Sequence, residues 1–250
     1  MTAAAAALLA LPPGIAVGSF LNVVAARVPR RQSIVSPASR CMSCERELAW
    51  YDNVPLLSFL VLRGKCRHCG ASIGWRYPAV ELATALLAAG SFLKLGATWL
   101  ALLAAIWCAV LVALAAIDLE HRIVPNRIVL PAAAFVLVAH TLIDPSPAWI
   151  LGALGASLFL FLAALAYPKG MGMGDVKLAL LLGAMLGKLV VVGMFLGMLS
   201  ALVPSAVLVA RHGKAARTMG IPFAPFLALG AIVALFAGEP IWHWYRHLGH

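Results

Sequence analysis

The sequence predicts an all-α polytopic membrane protein: about eight transmembrane helices, with a small zinc-ribbon-like cytoplasmic insert between the first and second spans. Three observations predict it. Of the 250 residues, 63% are hydrophobic and only 11% charged, and the mean hydropathy of +0.97 lies far from that of a soluble domain. Apolar stretches long enough to cross a hydrocarbon layer of roughly 30 Å recur along the chain. Four of the five cysteines fall in the one long polar stretch, as two Cys-x-x-Cys pairs.

The first span is read at residues 3–26. No Lys or Arg precedes it, so it reads as a retained helix rather than a signal peptide. Further spans are expected near 79–96, 99–117, 128–143, 149–166, 176–187, 189–210 and 222–238, separated by short polar or Pro/Gly punctuation. The sixth and seventh are divided only by Gly187 and Lys188, so the count is seven or eight. With the N-terminus outside, the loops at 27–77, 118–127, 167–177 and 211–221 carry 16 of the 19 Lys and Arg residues. That bias places these loops in the cytoplasm. The net charge of +10 then describes loops facing anionic lipid, and nucleic acid is not an expected partner.

The insert at 27–77 contains Cys41-x-x-Cys44 and Cys66-x-x-Cys69. Each pair presents two thiolates to one side, and two pairs complete a tetrahedral site for zinc. Two disulfides are the alternative, disfavoured in a reducing cytoplasm. A segment this short buries little apolar surface, so metal binding supplies much of its folding free energy. His68 stands between the second pair of cysteines, and Cys108 reads as a small core residue in an apolar span.

Acidic residues are few, and those at span ends mark candidate chemistry. Asp118 closes the run LVALAAID and Asp175 precedes VKLALLLG, so both are expected at cytoplasmic helix ends, at one depth. Two carboxyl groups sharing a proton activate water and protonate a carbonyl oxygen, as in aspartic peptidases. Asp175 opens a helix with Lys177 two residues on, whereas Asp118 closes one. The helix dipole then assigns the anion to Asp175 and the proton to Asp118. Gly170, Gly172 and Gly174 alternate before and beside Asp175, which suits a loop that approaches an extended substrate; an ordinary inter-helix loop capped by Asp175 remains the alternative.

These pieces resemble one family, the prepilin peptidases, membrane aspartic peptidases of the GxGD class. The resemblance rests on GSFLNVVAARVP at 18–29, the paired knuckles, YDNVPLLSFLVLRGKCRHC at 51–69, RYPAVE at 76–81, AAIDLEHRIVPN at 115–126, GMGMGDVKLALLLGAMLG at 170–187 and IPFAPFLALG at 221–230. It implies removal of the basic leader of prepilins and pseudopilins at the cytoplasmic face of the bacterial inner membrane, with Asp118 and Asp175 catalytic. It also implies a zinc tetrad of Cys41, Cys44, Cys66 and Cys69. Many members then methylate the new N-terminus with S-adenosylmethionine; Glu81 and Asp52-Asn53 are the candidates here. The chain departs from the pattern in the first knuckle, Cys-Met-Ser-Cys, which lacks a proline after its first cysteine. The segment IVPN after Asp118 also lacks an acidic residue after the proline. The expected division is a first span at 1–26, the cytoplasmic four-cysteine zinc-binding insert at 27–77 and a transmembrane aspartic peptidase core at 78–250. Two other classes fit the same residues less well. A cation or proton transporter would place its carboxylates near mid-membrane, and a zinc-binding scaffold would use the aspartates only as helix caps.

Overall fold

The structure, a computed structural model, describes residues 1–167, 171–213 and 220–247. Among them the elements are helical: α1 (Ala3–Arg27), α2 (Leu57–Val61), α3 (Arg76–Leu95), α4 (Trp99–His121), α5 (Asn126–Ile143), α6 (Pro147–Ala166), α7 (Met173–Leu186), α8 (Val190–His212) and α9 (Ala224–His247). A single 3-10 turn at Trp50–Asn53 precedes α2. Helix boundaries follow local chemistry. The Thr2 hydroxyl accepts the Ala5 N–H at 3.2 Å to start α1, and Ser146 does the same for Ala148 ahead of α6, with Pro147 at the first helical position. Gly96, at φ 71°, stops α3.

Among the described residues, seven helical stretches are long and apolar enough to cross a membrane: α1, α3, α4, α5, α6, the stretch Met173–Arg211, and α9. The chain is a multi-pass membrane protein. The expected sixth and seventh spans lie within that one 39-residue stretch. A 3-10 turn at Gly187–Leu189, entered through Gly187 at φ 52°, divides it into α7 and α8. With 14 residues, α7 is about 21 Å long, shorter than the roughly 30 Å hydrocarbon layer. It is also buried from Val176 to Leu186 along most of its surface. It is therefore a helix enclosed by protein.

The chain divides into two compact units, Met1–Ala113 and Leu114–His250. In the first, α1 and α3 pack antiparallel through small residues. A β-carbon added to Gly14 would lie 2.8 Å from Ala85 Cα, and one on Gly18 would lie 2.6 Å from Glu81 Cα, so the backbones touch where only hydrogen atoms intervene. Cys108 is fully buried, as a core residue should be. In the second unit α5, α6 and α9 all pack against α7. Gly152 of α6 sits on the Gly187 backbone, and Gly197 of α8 on Leu227 of α9. Apolar helices have no hydrophobic force pulling them together in lipid, so such close backbone contact supplies the association through dispersion.

Candidate functional site

Asp118 lies in the last turn of α4, which runs on to His121 rather than ending at the aspartate. The helix closes when the Arg122 N–H bonds the Asp118 carbonyl at 2.9 Å, with Arg122 at φ 54°. The Asp118 side chain is 5% exposed. Its Oδ2 accepts the backbone N–H of Ala224 at 3.0 Å, and Ala224 is the first residue of α9.

Asp175 lies in the first turn of α7 and is half-buried; its own N–H bonds the Gly172 carbonyl at 3.1 Å. Two contacts bring the α7 entrance to the end of α4. Gly174 packs on Val124 of the α4–α5 connection so closely that a β-carbon would meet Val124 Cβ at 2.9 Å. On the other side, the Ser157 hydroxyl of α6 donates to the Val176 carbonyl at 3.1 Å. The result is that Asp118 and Asp175 lie within electrostatic reach of each other. Two carboxylates so placed cannot both be ionised without mutual repulsion, the condition under which a proton is shared.

Helix ends do not assign that proton as the sequence suggested. Asp118 closes α4, but it also caps the N-terminus of α9, where partial positive charge collects. Both aspartates thus sit at helix N-termini, and the dipole no longer separates them. Lys177 does not settle it either, because its ammonium donates to Asn126 Oδ1 at 2.8 Å and ties α7 to the start of α5. The glycines also divide. Gly174 is required by packing, whereas Gly172 has φ −83° and only the Asp175 carboxylate, 3.8 Å away, and the Gly174 nitrogen, 3.9 Å away, near a β-carbon. Gly170 lies outside the described residues. His121 points to Glu120, 3.8 Å away.

In the insert the four cysteine sulfurs lie within 4.8 Å of one another, none in a disulfide, with Cys41 Sγ and Cys69 Sγ 3.8 Å apart. The two knuckles repeat one hydrogen-bond plan. Cys41 N–H bonds Arg46 O at 2.9 Å and Glu45 N–H bonds Cys41 O at 2.9 Å; Cys66 N–H bonds Ala71 O at 2.8 Å and Gly70 N–H bonds Cys66 O at 2.9 Å. Bridges Arg40–Glu47 and Lys65–Ser72 close both. This duplication escapes a sequence comparison because it resides in turns, with Glu45 and Gly70 sharing the left-handed conformation.

The donor set fits a soft cation. Backbone N–H groups of Cys44 and Ser43 lower the Cys41 thiol to about 6. At Cys69 the Ala71 N–H works in the same direction, but burial and the neighbouring sulfurs outweigh it and push the thiol up to about 11. Four thiolates can coexist at neutral pH only around a positive ion. The cluster can hold a metal ion. His68 is not part of it; its Nδ1 lies 3.4 Å from Arg46.

The two remaining candidates separate on their partners. Asp52 is held by Arg67 in a forked pair, with Nε and Nη2 at 2.9 and 2.7 Å from Oδ1. That guanidinium holds the carboxyl below the usual carboxylate range. Glu81, 7% exposed in α3, accepts the Leu56 N–H at 2.8 Å and a hydrogen bond from the Ser19 hydroxyl. Asn22 of α1, which donates to the Tyr77 carbonyl at 3.1 Å, was not singled out by the sequence, although an amide within an apolar span is a legible signal.

Known proteins extend these observations. The bacterial peptidase A24 N-terminal domain matches residues 13–95, and the type IV leader peptidase family matches residues 105–209. The chain is 37% identical to the prepilin leader peptidase/N-methyltransferase of Bacillus subtilis, over 93% of this chain and 94% of that protein. It is 35% identical to the protein of that name in Pseudomonas aeruginosa, over 93% and 90%. The protein of that name in Burkholderia pseudomallei is also 35% identical, over 92% and 84%. No solved structure matches the chain.

Proposed function

The chain belongs to the prepilin leader peptidase/N-methyltransferase family, and from that premise we propose that Asp118 and Asp175 are the pair with which it removes the leader of prepilins and pseudopilins. It is a membrane peptidase that processes prepilins. The observation that carries the assignment is that Gly174, beside Asp175, packs on Val124 just beyond the end of α4, which leaves the two carboxyl groups within electrostatic reach of each other. One carboxylate takes a proton from water as it attacks the scissile carbonyl; the other, protonated, donates to the carbonyl oxygen. Half-exposed Asp175 gives water a way in, and Asp118, fixed by the Ala224 N–H, keeps the pair oriented. Gly172, Gly174 and Lys177 support the loop that holds the substrate, together with Gly170.

The concentration of Lys and Arg in the four loops supports a site at the cytoplasmic face of the bacterial inner membrane, where a leader anchored by an apolar helix presents its cleavage point. The proposed domain division is a span at 1–26, a zinc-binding insert at 27–77, and the peptidase core at 78–250. Zinc would be held by Cys41, Cys44, Cys66 and Cys69 and would fold the insert. The second activity is N-methylation of the new amino terminus, for which S-adenosylmethionine supplies the electrophilic methyl group.

The test is incubation of the detergent-purified protein with a prepilin, followed by intact mass of the product. Leader loss in the wild type, absent with Asp118→Asn and with Asp175→Asn, is expected. Leader loss persisting in either variant would overturn the pair.

A further inference from the structure

The α1–α3 seam changes character along its length. Gly14 faces Ala85, Gly18 faces Glu81 and Asn22 faces Tyr77, each step one helical turn on both helices. The seam is small and apolar at Gly14–Ala85, then gathers oxygen acceptors. The Tyr77 carbonyl can only accept, so the Asn22 amide must turn Nδ2 toward it and Oδ1 away. That Oδ1 is fully buried and has no hydrogen-bond partner among the described residues, in a side chain 4% exposed.

One turn along, Glu81 is a buried carboxylate in a membrane-spanning helix. It is paired with no Lys, Arg or His among the described residues, unlike Asp52, which has Arg67. The insert reaches over it: Leu56 takes φ 59° and ψ −49°, a conformation that side chains rarely adopt, and donates its N–H to Glu81 Oε2. Strain of this kind persists where a site fixes it.

A carboxylate with hydrogen bonds from Leu56 and Ser19 but no cation among the described residues, and an amide oxygen without a donor among them, make this stretch of the seam electron-rich. Burying either uncompensated is unfavourable. The group that answers both needs carries positive charge and more than one N–H. A primary ammonium has three donors and no acceptor.

We propose that Asn22 and Glu81 form a binding site for a primary ammonium group. The inference rests on the N-methylation reading above. Two molecules in that reaction carry the group: the peptide whose amino terminus leader removal has just exposed, and the amino-acid end of S-adenosylmethionine.

Titration calorimetry on the full-length protein in detergent separates these sources. One arm compares a mature-pilin peptide bearing a free amino terminus with its N-acetylated form. The other compares S-adenosylmethionine with its analogue lacking the α-amino group. One free-amine probe should bind at least tenfold more tightly than its counterpart, and whichever pair shows the difference names the source. The preference should vanish in Glu81→Gln and shrink in Asn22→Leu. It should survive or grow in Asn22→Asp, a gain that misfolding cannot imitate. Equal binding within both pairs, or a preference unchanged in Glu81→Gln, would overturn the proposal and leave a bound water as the partner of Asn22. Peptide mass after incubation reports methyl transfer separately. A wild type that transfers no methyl group to a free-amine peptide fails the N-methylation reading, while the amine preference stands or falls on the calorimetry.

Discussion

The sulfur cluster of the insert and the carboxyl pair of α4 and α7 are assembled at different ranges. Cys41 and Cys44 are placed by a turn of a few residues, and Cys66 and Cys69 by the same turn repeated. Their geometry is local, and the one long-range condition is that two knuckles meet. Asp118 and Asp175 have no local relation. Asp118 is oriented by the first N–H of α9, and Asp175 is brought up to it by Gly174 on Val124 and by Ser157 of α6. A local site fails when its ligands change; a site built by packing also fails when its supports change.

The largest effect should come from the carboxyl groups themselves. Asp118→Ala or Asp175→Ala is expected to lower kcat/KM for leader removal by about 10³-fold or more, the scale of positioned acid–base catalysis, in a mass-based cleavage assay. Next comes the metal. Cys41→Ser or Cys66→Ser should abolish stoichiometric zinc, measured by elemental analysis, and make residues 27–77 sensitive to protease, because metal binding there is folding free energy. Residual leader removal in these variants above that of the aspartate variants would show that the two regions fail independently.

The third effect sharpens the contrast within one motif. Gly174→Ala must displace Val124, and overpacking of this kind costs about 1–3 kcal/mol, so kcat/KM should fall by about tenfold. Gly172→Ala has space and an ordinary backbone conformation and should change it less than about threefold. Equal losses would assign the glycines to substrate approach instead of packing.

The smallest effect is electrostatic. The Asp52 carboxyl titrates lower in the folded insert than in the unfolded chain because Arg67 holds its anion. The stabilisation is therefore complete above the ordinary carboxyl value near ~4 and is lost as pH falls through the lower folded value. Asp52→Asn should flatten the acid limb of insert stability below about pH 4, followed through the fluorescence of nearby Trp50.

Much of the site was legible before any fold. The spacing of cysteines specified the sulfur cluster because a knuckle is a short-range object, and the two aspartates stood out because so few charges lie at span ends. Other features were not. The sequence placed Asp118 at the end of one helix and could not show it capping another, and hydropathy, which measures apolar length, could not show that protein encloses α7. Pairing of Lys177 with Asn126, and of Asp52 with Arg67, likewise depended on neighbours distant in the chain.

By itself, the sequence determined the membrane class, the approximate spans and the identity of the chemical groups, since these follow from transfer free energies and short-range spacing along one chain. Only the tertiary structure decided that α7 is enclosed by protein, that two helix N-termini converge on the aspartates, and that a buried amide and carboxylate share the α1–α3 seam. The reason is that helix association in lipid is governed by close backbone contact at particular small residues, and which surfaces come into that contact is a property of the whole chain.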